Sequence, residues 1–193
     1  MKPLELVAVG TSLGGLQALT ALLGTLPANL GVPLVIVQHR AVTTDPGGLA
    51  RLLQDATGLV VVEADDKMPL EAGRAYLAPA DYHLLVEERG LLALSTDPPV
   101  RAARPSIDVL FETASDAYGD ALLGVLLTGA SADGAEGLAA IKARGGRAIV
   151  EDPATAECGT MPAAGLKATA VDYVLPLAQI GAHVVTMVEG TRI

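Results

Sequence analysis

Short apolar runs alternate along this chain with segments whose leucines recur at helical spacing. The apolar runs lie at residues 4–9, 32–37, 59–62 and 122–127. Continuously apolar runs of this length are typical of strands buried on both faces, and helical crossovers between them favour parallel pairing. The pattern predicts an α/β fold with a doubly wound, mostly parallel sheet and helices on both faces.

The middle of the chain departs from this alternation. Two short apolar runs, residues 83–86 and 91–94, flank Glu87-Glu88-Arg89-Gly90, a sequence typical of a hairpin turn. We therefore expect an antiparallel hairpin appended to the parallel sheet. Because the sequence shows no repeat, low-complexity tract or linker, we expect a single domain over residues 1–193.

Composition argues against several classes of protein. The chain has 22 acidic and 13 basic residues, a net charge of −9, which disfavours nonspecific nucleic-acid or anionic-membrane binding. No apolar window reaches the roughly 20 residues of a membrane span, and the N-terminus lacks a signal-peptide pattern. We expect a cytoplasmic protein. The one cysteine, Cys158, excludes a disulfide framework and a cysteine-based zinc site, and we expect a lone thiol.

Three reactive side chains follow predicted strands. Ser12 follows the first strand, His39 the second, and Asp133 the Thr-Gly-Ala-Ser-Ala segment after the strand at 122–127. The carboxyl ends of parallel strands meet at one edge, where ligands bind in doubly wound sheets. A serine hydroxyl needs an imidazole to accept its proton and a carboxylate to orient that imidazole. We therefore predict a Ser-His-Asp triad.

The turn around Ser12 leaves other functions open. Gly10-Thr11-Ser12-Leu13-Gly14 fits the G-x-S-x-G nucleophile turn. A glycine-rich turn between strand and helix is equally typical of a phosphate cradle. The loop Gly10–Gly15 is thus also compatible with a phosphate- or nucleotide-binding module, although the Walker and dinucleotide patterns are incomplete. A catalytically idle binding protein is a third hypothesis.

The order of the candidates, and their simpler interpretations, also bear on the prediction. The α/β-hydrolase order, Ser-Asp-His, would require His183, which lies inside the predicted closing helix. The order Ser-His-Asp with His39 is therefore favoured. Ser12 and Asp133 are also compatible with helix N-caps, and His39 with a strand-end histidine bonded to the backbone. We expect His83 to be a satisfied structural histidine.

Six segments together resemble the catalytic domain of the CheB chemotaxis methylesterases, in that family's order, from about residue 7 to about residue 175. They are Val-Gly-Thr-Ser12-Leu-Gly-Gly, Val-Gln-His39, Tyr-Leu-Ala-Pro-Ala-Asp-Tyr-His83, Arg104-Pro-Ser-Ile-Asp108-Val-Leu-Phe, Leu-Leu-Thr-Gly-Ala-Ser-Ala-Asp133-Gly and Gly159-Thr-Met161-Pro. The resemblance implies a doubly wound fold. It implies hydrolysis of glutamyl methyl esters on chemoreceptors, often with deamidation of receptor glutamines, and no metal or cofactor is needed.

Carried over by position, the resemblance makes Ser12 the nucleophile, His39 the general base and Asp133 the carboxylate behind it. The family's oxyanion donors, two backbone N–H groups, fall on Leu13 and Ala130. Leu13, Arg40 and Ala130 stand where the family commonly has Thr, Met and Met. A backbone donor survives a change of side chain, but the loss of Met at 130 predicts a smaller and less apolar pocket wall.

The resemblance also suggests partners. Members of the family usually carry an N-terminal receiver domain, and we expect none within residues 1–193. A methyl-accepting chemoreceptor or a similar protein is the expected substrate, and a separate regulatory protein is a candidate partner. Arg101 and Arg104 flank a proline-bounded loop and are expected at the surface, where they could face acidic receptor helices.

Overall fold

The computed structural model of the chain describes residues 2–40 and 47–190. The helices and strands follow in the order β1 (Leu6–Thr11), α1 (Gly15–Gly24), β2 (Leu34–Gln38), α2 (Gly48–Gln54), β3 (Val60–Glu63), β4 (Arg74–Leu77), β5 (His83–Glu88), β6 (Leu91–Ser95), α3 (Ile107–Tyr118), β7 (Leu122–Leu126), α4 (Ala135–Ala143), β8 (Arg147–Glu151), α5 (Thr160–Ala168), β9 (Tyr173–Leu175) and α6 (Leu177–Glu189). The expected single domain includes residues 1, 41–46 and 191–193, which lie outside the described ranges.

Seven strands form one sheet in the order β3-β4-β2-β1-β7-β8-β9, and every neighbouring pair in it is parallel. β5 and β6 form a separate antiparallel pair. The doubly wound α/β fold and the appended hairpin predicted from the sequence are confirmed. No helix in the described ranges is long and apolar enough to cross a membrane.

The strand order reverses beside β1, and this reversal positions the site. From β1 the chain runs outward to β2 on one side and later returns to β7 on the other. The register pairs Gly10 with both Val37 and Leu126, so the three strands end at nearly the same level. A crevice at the carboxyl ends of such strands is the usual ligand site of this architecture.

The two faces of the sheet bury different helices because successive strand residues point to opposite sides. Val7 and Val9 of β1 belong to the apolar cluster with α1, α2 and α6. Leu6 and Ala8 belong to the cluster with α3, α4, Met161 of α5 and the hairpin. Each fully buried leucine, such as Leu6, stabilises the fold by about 1.5–3 kcal/mol.

Two glycines let the start of α3 come close to the end of β1. A Cβ on Gly10 would lie 2.3 Å from Cγ2 of Ile107, and one on Gly134 would lie 2.7 Å from the same atom. Ile107 is the first residue of α3. These contacts place the N-terminus of α3 at the edge where β1 ends, and a side chain at either glycine would push the helix away.

Candidate active site

The backbone of Ser12 is fixed where β1 ends. Its N–H donates to the carbonyl oxygen of Thr128 at 2.9 Å, and its own carbonyl oxygen accepts from the N–H of Gly15, also at 2.9 Å. The N-cap of α1 is Gly14, whose φ of 79° lies in the left-handed region that favours glycine, and no side chain caps the helix. Ser12 is therefore not the cap, and its hydroxyl has no hydrogen-bond partner among the described residues.

His39 and Asp133 form a side-chain pair. Nε2 of His39 lies 2.6 Å from Oδ2 of Asp133. The carboxylate is buried and the imidazole is 16% exposed. The imidazole of His39 is thus bonded to a side chain and, among the described residues, not to a backbone group, so the simpler interpretation of this side chain is wrong. With Nε2 committed to the carboxylate, Nδ1 is the ring nitrogen left to accept a proton.

The N-terminus of α3 holds Asp133. Oδ1 accepts from the Ser106 hydroxyl at 2.8 Å and from the N–H of Asp108 at 3.1 Å, and Oδ2 accepts from the N–H of Ile107 at 2.6 Å. The N-cap of α4 is Gly134, without a side-chain cap, so Asp133 does not cap the helix that follows it. The carboxylate turns instead to the positive end of α3.

These donors determine the charge state of Asp133. Burial alone would raise the pKa of its carboxyl, but the hydrogen bonds from His39, Ile107, Asp108 and Ser106 outweigh it and hold the pKa below its ordinary value. An ionised carboxylate beside the imidazole orients the ring and stabilises the imidazolium that forms when the ring takes a proton.

A second buried carboxylate lies next to Asp133. Burial raises the pKa of Asp108, the nearby charge of Asp133 raises it further, and hydrogen bonds from Gly137 and Arg101 partly offset both. The N–H of Gly137 donates to Oδ1 of Asp108 at 2.8 Å, and Nε of Arg101 donates to Oδ2 at 2.9 Å. Arg101 also pairs with Glu136, so this guanidinium is engaged within the chain.

His83 binds the residue that precedes α3. It is buried, and its Nδ1 accepts from the N–H of Ser106 at 3.2 Å. Its Nε2 lies 3.1 Å from the carbonyl oxygen of Pro98, so that nitrogen carries the proton and donates. His83 has the structural contacts that the sequence led us to expect.

Thr128 was missed by sequence analysis, although it connects the ends of β1 and β7. Its hydroxyl donates to the carbonyl oxygen of Leu13 at 2.9 Å and accepts from the N–H of Cys158 at 2.9 Å. Its carbonyl oxygen accepts from the Thr11 hydroxyl at 2.9 Å and from Ser12. A signal was present in the sequence, since Thr128 is a hydroxyl residue directly after a buried strand.

The two expected oxyanion donors lie in the loops that follow β1 and β7. Within the described ranges, neither the N–H of Leu13 nor that of Ala130 has an acceptor. The side chains of Leu13 and Ala130 are both exposed. Next to them, Met161 packs where a Cβ on Gly129 would lie only 2.7 Å from its Sδ and 2.9 Å from Cβ of Ser12. Met161 thus supplies a buried apolar wall close to the nucleophile turn.

An open cleft of about 330 Å³ adjoins His39, and it is lined by His39, Arg40, Ala102, Ala103, Arg104 and Pro105. Arg40 pairs with Glu63 and also donates to the carbonyl oxygen of Ala78 at 3.2 Å. Arg104 donates to Asp81 at 3.0 Å and to the carbonyl oxygen of Thr96 at 2.9 Å. Both arginines therefore form the rim while already paired.

The remaining candidates lie elsewhere or contribute backbone only. His183 bonds the carbonyl oxygen of Gln179, and its ring centroid lies 5.3 Å from that of Tyr173 with the planes tilted by 59°, away from the contacts of Ser12. Cys158 is a free thiol whose backbone, and not its sulfur, bonds Thr128 and Gly129. The N–H of Ser12 donates to the carbonyl oxygen of Thr128 and that of Gly15 to the carbonyl oxygen of Ser12, so these two donors of the Gly10–Gly15 loop are already used and do not face a phosphate.

Comparisons with known proteins identify the family of the chain. A family model described as CheB methylesterase matches residues 7–184. A relative from Leptospira interrogans is 47% identical over 176 residues, which cover 91% of each chain. Protein-glutamate methylesterase FrzG of Myxococcus xanthus is 38% identical over 187 residues, which cover 97% of this chain and 56% of that protein. The crystal structure of the Thermotoga maritima CheB methylesterase catalytic domain matches with a TM-score of 0.89 and 32% identity, covering 95% of this chain and 98% of that one.

Proposed function

The chain belongs to the CheB methylesterase family, and we propose that it hydrolyses glutamyl methyl esters on a protein substrate with Ser12, His39 and Asp133 as its catalytic residues. It is an enzyme of the protein-glutamate methylesterase class. The observation that carries the assignment of residues is the 2.6 Å contact between Nε2 of His39 and the buried Asp133. His39 follows β2, which pairs with β1, and Ser12 follows β1.

The proposed acylation step uses these groups in turn. Oγ of Ser12 attacks the ester carbonyl carbon, and its proton passes to Nδ1 of His39. The negative charge that develops on the carbonyl oxygen is stabilised by the free N–H groups of Leu13 and Ala130. When the tetrahedral intermediate collapses, the bond to the methoxy group breaks. The leaving oxygen takes the proton from His39, so methanol departs and an acyl-Ser12 ester remains.

Deacylation repeats the sequence with water. His39 accepts a proton from a water molecule, whose oxygen attacks the acyl carbon, and the same two N–H groups hold the second oxyanion. Collapse breaks the bond to Oγ of Ser12, and the proton returns from His39 to that oxygen. A free glutamyl carboxyl is released. Throughout, Asp133 stays ionised and stabilises the imidazolium.

The same steps cover amide hydrolysis. The name of a relative from Trichodesmium erythraeum, 39% identical over 187 residues, joins protein-glutamate methylesterase with protein-glutamine glutaminase. A glutamine side chain would form the same acyl-Ser12, with ammonia in place of methanol as the departing group. Deamidation is therefore part of the proposal.

The substrate we propose is a methyl-accepting chemoreceptor or a similar protein in the cytoplasm. The family's chemotaxis role supports this choice, and the open cleft beside His39 gives a surface residue of a folded protein direct access. A separate regulatory protein is a further proposed partner.

Methanol release from a methylated receptor fragment tests the function. The Ser12→Ala variant should lose nearly all activity, because the other hydroxyl of the turn, that of Thr11, is buried and donates to the carbonyl oxygen of Thr128. Ser115→Ala is the matched control, since among the described residues that hydroxyl bonds only the carbonyl oxygen of Glu112 inside α3. Ammonia release from the unmethylated, glutamine-containing fragment should also be lost in Ser12→Ala and kept in Ser115→Ala. Full methanol release by Ser12→Ala would overturn the assignment.

A further inference from the structure

Gln38, the last residue of β2, connects the nucleophile turn to the base. Its Nε2 lies 2.8 Å from the carbonyl oxygen of Ser12 and 2.9 Å from that of His39. Because both partners are acceptors, the amino end of the amide must face them and donate a proton to each. One side-chain group is thereby bonded to the backbone of both the nucleophile and the base.

Packing alone does not explain an amide at this position. Oε1 of Gln38 is buried and has no hydrogen-bond partner among the described residues. A Cβ on residue 15 would lie 1.8 Å from this oxygen, so the glycine there makes room for it. A buried carbonyl oxygen without a donor costs free energy, which an apolar side chain of the same length would avoid. The amino end of the amide, and not its oxygen, makes the hydrogen bonds seen among the described residues.

Holding the carbonyl of Ser12 also sets the direction of an oxyanion donor. In a trans peptide the C=O and the following N–H point in opposite directions. The carbonyl oxygen of Ser12 accepts from Gln38 and from the N–H of Gly15. The N–H of Leu13 consequently points away from Gln38, where it has no acceptor within the described ranges.

Gln38 acts beyond the last bond of the strand ladder. β1 and β2 are in register up to Thr11 and Gln38, and the N–H of His39 then donates to the carbonyl oxygen of Thr11 at 3.0 Å. In the described part of the chain, no backbone hydrogen bond joins Ser12 to His39. The Gln38 amide is the group that bonds directly to the backbone of both.

We propose that Gln38 is a positioning residue, which aligns Ser12 and the Leu13 N–H with His39 through the two carbonyl bonds of its amide. The proposal rests on the proposed function of Ser12 and His39. Small displacements of reacting groups lower rates steeply, whereas substrate binding in the cleft beside His39 does not involve Gln38. Loss of the amide should therefore reduce kcat and leave KM nearly unchanged.

Gln38→Met tests this, because methionine has a similar length and no donor. We expect kcat for methanol release to fall by about 10- to 100-fold, with KM within about twofold. The matched control is Gln54→Met: Nε2 of Gln54 also donates to two carbonyl oxygens, those of Thr57 and Leu59, but between α2 and β3. Its kcat should stay within about twofold of the parent. Rates are expressed per folded molecule, with the folded fraction taken from urea unfolding.

Gln38→Glu gives a readout that a merely structural role would not move. A carboxyl facing two carbonyl oxygens has a raised pKa, and once protonated it can donate to one of them. The ratio of this variant's kcat to that of the parent should rise as the pH is lowered from about 8 to about 5, while the ratio for Gln38→Met stays flat. If Gln38→Met does not fold, this ratio alone decides.

The same assay separates the two proposals. If Ser12→Ala is inactive but Gln38→Met has the parent's kcat per folded molecule, or the Gln38→Glu ratio is flat across pH, the positioning role is overturned and the proposed function stands. If Ser12→Ala keeps its activity, the proposed function is overturned instead. A lower kcat with unchanged KM for Gln38→Met, together with a pH-dependent Gln38→Glu ratio, supports the positioning role.

Discussion

Asp133 and Ser12, the two outer members of the proposed catalytic triad, are held in opposite ways. At one end, Asp133 is buried and accepts hydrogen bonds from His39, the Ser106 hydroxyl and two backbone N–H groups of α3. At the other end, the Ser12 backbone is bonded on both sides while its hydroxyl has no partner in the described part of the chain. The side chain of Asp133 is held in place by hydrogen bonds. For Ser12, the proposed nucleophile, only the backbone is held in this way.

This difference matches what each group must do. A carboxylate that orients an imidazole works best when it stays ionised and does not move. A hydroxyl that must attack a substrate would lose reactivity if a competing acceptor held its proton. The structure therefore fixes one end through side-chain bonds and the other through the backbone. Substitutions at the two ends should have different consequences.

Among the substitutions considered below, the largest loss of kcat is expected at His39, which lies between Ser12 and Asp133 in the proposed triad. His39→Ala should lower kcat by on the order of 10³-fold or more, because the Ser12 proton then has no acceptor. His183→Ala is the control, since its contacts with Gln179 and Tyr173 lie on α6 and β9, and it should change kcat by less than about twofold. Steady-state methanol release measures both. The reverse result would restore the Ser-Asp-His order.

A smaller loss is expected from loosening the immobilised end. Ser106→Ala removes one donor to Oδ1 of Asp133 and leaves the two backbone donors in place. We expect kcat to fall by about 10-fold, as for the loss of one hydrogen bond to a charged group. Ser115→Ala, in the same helix, should keep the parent's rate. An unchanged rate in Ser106→Ala would show that α3 holds Asp133 by its backbone alone.

The pH dependence of stability distinguishes the two carboxylates at the start of α3. The folded pKa of Asp133 lies below the unfolded value near 3.9, so its contribution to stability is present above about pH 4 and is lost as the pH falls through the folded pKa. The folded pKa of Asp108 lies above the unfolded value. Its contribution is present below about pH 4 and is lost as the pH rises through the folded pKa.

Urea unfolding between about pH 3 and pH 7 checks these signs. The free-energy advantage of the parent over Asp133→Asn should shrink as the pH falls below about 4. Asp108→Asn should gain on the parent as the pH rises above about 4. If the difference in free energy of unfolding between variant and parent changed with pH in the same direction for Asp133→Asn and Asp108→Asn at pH values both above and below about 4, the opposite pKa shifts would be contradicted.

The smallest effect on kcat is expected at Leu13, the residue after Ser12. Leu13→Ala keeps the N–H that we assign to the oxyanion, so kcat should stay within about threefold of the parent, unlike the loss of an oxyanion donor, which costs on the order of 100-fold or more. Matched measurements of kcat on the same receptor fragment decide this. A loss of 100-fold would mean that the exposed Leu13 side chain, and not the backbone, acts in catalysis.

Sequence analysis could predict the fold because each strand carries its own signal. The run ending at Val9 and the run ending at Val37 are buried strands in adjacent positions, and the apolar pattern of the hairpin is also as predicted. Ser12, His39 and Asp133 follow strands whose carboxyl ends meet at one edge, so their neighbourhood could be inferred from topology alone. The contact of His39 with Asp133 agrees with that prediction.

The groups that hold these residues could not be predicted in the same way. Ser106 has the residue type of a helix N-cap and caps α3, but its bond to Asp133 depends on how α3 packs over Gly10. The amide of Gln38 and the hydroxyl of Thr128 act across strands far apart in the sequence. Such bonds depend on side-chain direction and on strand order, which residue spacing does not encode.

Covalent labelling tests most directly the claim that Ser12 is the nucleophile of the proposed triad. A serine-directed fluorophosphonate should add one adduct, peptide mapping should place it on Ser12, and methanol release should fall in proportion to labelling. The His39→Ala variant should label far more slowly at the same site. An adduct on another residue, or full methanol release from protein labelled at Ser12, would contradict the account.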